Sequence, residues 1–135
     1  MKRFSILALL AAACSQQPAE PVLSTGTFAG AGHNRLCLAG QPGSYRGGVI
    51  VYASGDSNCS ASGRIEKQGD QLMLIPSGEG PCRIPLALEG DTVRIGEVPA
   101  ACSYYCGPEA DLSGKAFMRS VNTTAATDLA GDPLC

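Results

Sequence analysis

The densest chemistry in this chain is sulfur: seven cysteines among 135 residues. Two of them, in Cys102-Ser103-Tyr104-Tyr105-Cys106, stand at a C-x₃-C spacing. Such a pair, when reduced, can hold a soft ion such as Cu(I) or exchange with a disulfide. Either role needs companions that the chain supplies poorly. His33 is the one histidine and is far away in sequence, no βαβ pattern surrounds the pair, and Met73 and Met118 suit a strand core as well as a ligand set. Residues four apart in an extended strand lie roughly 13 Å from one another. Cys102 and Cys106 are therefore expected to bond to separate partners unless the chain turns sharply between them. No metal and no cofactor are expected, and a periplasmic copper-binding or thiol-redox protein using the C-x₃-C pair is kept as an alternative.

Other chemistry is thinner still. His33 in Gly32-His33-Asn34 reads as a loop residue, with no Gly-x-Ser-x-Gly elbow to pair with it. Asp56-Ser57-Asn58-Cys59-Ser60 begins like a calcium loop but has Ala61 where glycine is wanted and Lys67 where the bidentate glutamate belongs. No pair of the 12 carboxylates is singled out for glycoside chemistry. Asn58-Cys59-Ser60 and Asn122-Thr123-Thr124 match a glycosylation sequon by composition alone. The chain is read as no enzyme. Tyr104 and Tyr105 are the binding candidates, because neighbours on a strand face opposite ways and an exposed tyrosine favours recognition.

The N-terminus decides the compartment. In MKRFSILALLAAAC, Lys2 and Arg3 precede an apolar run that is about half the length needed to span a bilayer. Small residues follow, as a signal peptidase requires. Ala11-Ala12-Ala13-Cys14 resembles the lipobox of bacterial lipoproteins, with Ala11 in place of the commoner leucine. The resemblance implies a signal peptide over 1–13 and lipidation of Cys14. Ser15 lacks the aspartate that resembles an inner-membrane retention signal, which points to a lipid-anchored position on the outer membrane, facing the periplasm. Residues 14–24 then form a lipidated, proline-containing tether, and a disulfide-rich β domain occupies 25–135. Export without Lys2 and Arg3 leaves eight basic against 12 acidic residues, a net charge of −4. That balance gives no footprint for nucleic acid.

Export also means oxidation. Beyond Cys14 the six remaining cysteines, Cys37, Cys59, Cys82, Cys102, Cys106 and Cys135, make up three disulfides with 15 possible connectivities. The pairings Cys59 with Cys82 and Cys106 with Cys135 are the ones expected.

The elements that carry these residues are short. Apolar runs at Leu36-Cys37-Leu38, Val49-Ile50-Val51, Leu72-Met73-Leu74-Ile75, Leu86-Ala87-Leu88 and Val93-Arg94-Ile95 are separated by Gly-Asp and related turn signals. Thr92-Val93-Arg94-Ile95 alternates cleanly, and no window sustains a helical stripe. The pattern predicts an all-β antiparallel meander of about six to eight strands, closed as a barrel or packed as a sandwich. Little helix is expected beyond one turn near Pro108 to Leu112.

Cys102 to Gly107, Leu112-Ser113-Gly114-Lys115-Ala116-Phe117 and Ala130-Gly131-Asp132-Pro133-Leu134-Cys135 resemble a group of small uncharacterised cysteine-rich alphaproteobacterial lipoproteins. That resemblance implies no activity. Size, anchor and β pattern are also loosely similar to membrane-bound lysozyme inhibitors, which have fewer cysteines and a more aromatic core. The expected function is a non-enzymatic envelope lipoprotein that binds a protein or wall component or has a structural role. An inhibitor of a cationic wall hydrolase such as lysozyme, steered by the acidic charge, is the other alternative.

Overall fold

A computed structural model describes residues 22–68 and 71–135. The signal segment, Cys14, the tether as far as residue 21 and the Gly69-Asp70 turn lie outside the described residues. Strands β1 (Gly26–Ala29), β2 (Arg35–Ala39), β3 (Arg46–Tyr52), β4 (Asn58–Gln68), β5 (Gln71–Pro76), β6 (Ile84–Glu89), β7 (Thr92–Ile95) and β8 (Ala116–Arg119) follow in chain order. Each pairs antiparallel with its predecessor, and β8 returns to β1 to close a barrel. Closure removes the exposed strand edges that a sandwich would keep, so the barrel is the form this meander takes.

Period-two alternation fills the interior. Phe28, Leu36, Val49, Leu74, Ile84, Val93 and Phe117 are almost wholly buried and belong to one cluster. An eight-stranded barrel has an interior that side chains of this size can fill. At one end Arg119 lies over the Phe28 ring at 4.7 Å and donates to the Thr25 carbonyl. The opposite end receives the β7–β8 connection, in which a 3₁₀ helix (Ala100–Tyr105) buries Cys102, and Leu112 is buried behind it.

Burial patterns separate two kinds of strand. In β7 the pattern alternates, as it must when one face meets water. In β3 the five residues from Gly47 to Val51 are all buried. The second face of β3 is covered by the segment after β8. Here Leu134 and Ala126 pack with Ile50 and Cys37 in a separate outer cluster. This segment folds into a narrow hairpin of its own. Leu134 N donates to the Ala126 carbonyl, Thr127 bridges Pro133, and Asp128 Oδ1 accepts from Asp132 N at 2.9 Å. We call it the strap. A Cβ on Gly48 would lie 2.5 Å from the Leu134 Cβ, so glycine is what lets the strap rest on the sheet.

The three disulfides are Cys37–Cys135, Cys59–Cys106 and Cys82–Cys102. The expected pairings of Cys59 with Cys82 and Cys106 with Cys135 are thereby corrected. Cys37 points outward from β2 into the cluster that the strap covers, while Cys82 meets the middle of the 3₁₀ helix and Cys59 the residue that caps its end. Cys102 and Cys106 do bond to separate partners. The helical turn expected near Pro108 to Leu112 is displaced to Ala100–Tyr105. Residues 107–110 instead form a turn, with Ala110 N donating to the Gly107 carbonyl and Glu109 at φ 62°.

Candidate functional site

Between Cys102 and Cys106 the chain has only three residues, and both sulfurs are tied to different parts of the barrel. A 3₁₀ turn, with about 2 Å rise per residue, fits that span where an extended strand would overshoot it. The tyrosines therefore stand on a helical turn, not on a strand. The division between them persists: Tyr105 packs against the interior cluster, while Tyr104 is 88% exposed. Their rings meet edge to face, with centroids 5.2 Å apart, a favoured aromatic arrangement. Tyr104 is thus an apolar ring facing solvent on a base held by two disulfides.

Beside it runs a groove. Its floor is the outer face of β4, where Ser60 and Ser62 alternate with the buried Cys59 and Ala61. Tyr104 and Tyr105 form one wall, and Asp128 and Leu134 of the strap form the other, around a cavity of ≈ 290 Å³ that also takes in Ser77 and Gly78. A second hollow of ≈ 340 Å³ shares Ser62, Ser77 and Leu134 and continues to Arg46 and Arg64. The two hollows adjoin through these shared residues, with Tyr104, Tyr105 and Asp128 lining the first and Arg46 and Arg64 the second. Arg64 also pairs with Glu66 at 2.8 Å on the exposed surface. Gly78 has a steric role: a Cβ there would lie 2.9 Å from the Tyr105 hydroxyl.

The other sequence candidates fall elsewhere. Cys102 and Cys106, each in its own disulfide, do not present a dithiol in this oxidised form. Met118 is 63% exposed on β8 and Met73 lies on the outer, half-buried face of β5, so neither fills the interior. Asp56 belongs to the β3–β4 turn, where its carbonyl accepts from the Asn58 amide nitrogen. In the sequon at Asn58, the middle residue Cys59 is fully buried and bridged. His33 is exposed in the β1–β2 loop, on the far side of the strap from Tyr104. Its neighbour Asn34 is buried and ties the loop to β3, its Oδ1 accepting from Tyr52 N at 2.9 Å.

Reading along the chain finds the tyrosines but not Ser60, Ser62, Ser77 and Asp128. These are ordinary surface types, and only barrel closure and the strap disulfide set them side by side. No protein-family model matches the chain, and no curated protein or solved structure matches it at a significant level.

Proposed function

We propose that this is a non-enzymatic, lipid-anchored envelope protein whose barrel binds a cell-wall glycan in the groove along β4. The observation that carries the reading is Tyr104, an exposed ring fixed between two disulfides at the mouth of a hydroxyl-lined groove. Sugars offer an apolar face and a rim of hydroxyls. A tyrosine ring stacks on the first, and serine hydroxyls and a carboxylate bond the second. Holding the base of the ring in advance lowers the ordering cost of binding. Arg46 and Arg64 in the adjoining hollow supply a partner for an acidic substituent on the same strand of sugars.

The anchor is the lipid on Cys14, which positions the domain within tether reach of the wall. Metabolic labelling with a fatty-acid analogue checks this part: label should enter the wild-type protein and be absent from Cys14→Ser.

The groove is tested by co-sedimentation of the oxidised domain with purified, protein-free wall sacculi. Binding that saturates and is lost in Tyr104→Ala supports the reading. Equal sedimentation of the two proteins, or none, rejects it. Lysozyme inhibition measured with the same proteins distinguishes the other occupant: inhibition without sacculus binding would assign the acidic surface to a cationic hydrolase instead.

A further inference from the structure

We infer that a second site, on the other flank of the strap, binds a phosphoryl group. A cavity of ≈ 180 Å³ is lined there by His33, Arg35, Tyr52, Thr124 and Thr127, with Ile50 and Ala125. Among the described residues no carboxylate lines it, and its polar side chains are the Arg35 guanidinium, the His33 imidazole and the hydroxyls of Tyr52, Thr124 and Thr127. The site lies apart from the groove and goes beyond the reading of a glycan binder, because none of its lining residues lines the groove.

Arg35 is the centre of the argument. Its Nη1 is engaged by the β1–β2 loop, donating to the Asn34 carbonyl at 2.8 Å and the Gly32 carbonyl at 3.3 Å. Those bonds fix the plane of the guanidinium. Its Nε is buried and, among the described residues, has no hydrogen-bond partner. A buried donor left unsatisfied costs about 1–3 kcal/mol and calls for an explanation. With Nη1 occupied, the edge formed by Nε and Nη2 remains, and that edge is the two-donor fork that matches an oxyanion.

The surrounding donors favour a tetrahedral anion over a flat one. His33 comes from the loop, Arg35 and Tyr52 from the outer face of β2 and β3, and Thr124 and Thr127 from the strap. Four segments, the loop, β2, β3 and the strap, thus contribute to the cavity lining. A carboxylate uses two oxygens in one plane, whereas a phosphoryl group has three oxygens to distribute among them. A lysine could supply charge at position 35 but not the fork.

The test is an NMR titration of the oxidised domain with inorganic phosphate, against sodium chloride at matched ionic strength and against acetate. Saturating shifts are expected for the amides of residues 32–35, 52 and 124–127 and for the Arg35 Nε–H resonance. Arg35→Lys should weaken phosphate binding about tenfold or more, the loss expected for one charge-assisted bond. Thr124→Ala, at an exposed position that leaves the loop untouched, should weaken it a few-fold. Unchanged shifts for Val49 and Ile84 in each variant verify that the barrel is intact. Shifts that do not saturate, that chloride reproduces, or that survive in Arg35→Lys overturn the site. Saturation by acetate alone overturns the phosphoryl assignment. Phosphatidylglycerol vesicles separate the two sources of such a group. Vesicle binding displaced by inorganic phosphate identifies a lipid headgroup, and phosphate binding without vesicle binding identifies a soluble phosphate.

Discussion

Tyr104 has almost no packing to lose and all of its face to offer. Tyr104→Ala should leave thermal unfolding within about 0.5 kcal/mol of wild type, as surface substitutions generally do, while removing sacculus binding. The combination is informative because Tyr105, one residue on, packs against the interior cluster. Tyr105→Ala should destabilise measurably by calorimetry. Glu109 makes a second residue-scale case. It sits at φ 62° in the turn that follows the 3₁₀ segment, where its Pro108 carbonyl accepts from the Ser57 hydroxyl. A residue with a Cβ is strained there by roughly 1–2 kcal/mol, and glycine is not. Glycine also frees the unfolded chain, which offsets about 0.4–1 kcal/mol of the gain. Glu109→Gly should therefore raise the melting temperature slightly, by up to about 1.5 kcal/mol in stability. A clear loss would show that the glutamate side chain holds the turn.

At the scale of elements, the strap explains what the strands looked like in sequence. Val49-Ile50-Val51 is an unbroken apolar run because the barrel interior takes Val49 and Val51 and the strap takes Ile50. Thr92-Val93-Arg94-Ile95 alternates because, among the described residues, its outer face stays open, with Arg94 exposed between the buried Val93 and Ile95. Strand positions and the all-β class were legible from such patterns, since burial on one or two faces writes itself into local periodicity. Disulfide pairing was not, because Cys37 meets Cys135 across 98 residues through closure of the whole barrel. The 3₁₀ turn was illegible for a related reason: the two bridges impose it, not the propensities of Ser103-Tyr104-Tyr105. The same logic hid the groove and the Arg35 cavity, whose walls come from elements distant in sequence. Two substitutions test the strap as a unit. Cys135→Ser, with Cys37→Ser to avoid a free thiol, should speed amide exchange at residues 126–134 while strands β4 to β7 stay protected. Gly48→Ala should have a similar local effect with the bridge intact, because the added methyl occupies the space of Leu134. Exchange that rises equally in all strands would mean that strap and barrel unfold together.

For the molecule as a whole, the cysteines and the compartment are one argument. The interior is built mainly of medium-sized aliphatic side chains with Phe28 and Phe117 as its largest fully buried members. A domain of this size has a net stability of about 5–15 kcal/mol. The bridges close separations of 20, 47 and 98 residues, each contributing typically about 2–4 kcal/mol. Three such terms are comparable with the whole margin. Each ties a segment outside the eight-strand ladder to the barrel, two fastening the β7–β8 connection that closes one end and one fastening the strap to β2. Reduction should therefore act on the ends and the outer face before the meander itself. With reductant, calorimetry should show a melting temperature lowered by tens of degrees, or no cooperative transition at 37 °C. Restoring oxidant should recover both the transition and the sacculus binding. If the reduced protein instead melted cooperatively near the oxidised temperature, the barrel alone would account for stability. The bridges would then be explained by what they hold in place, the Tyr104 turn and the strap that walls both clefts.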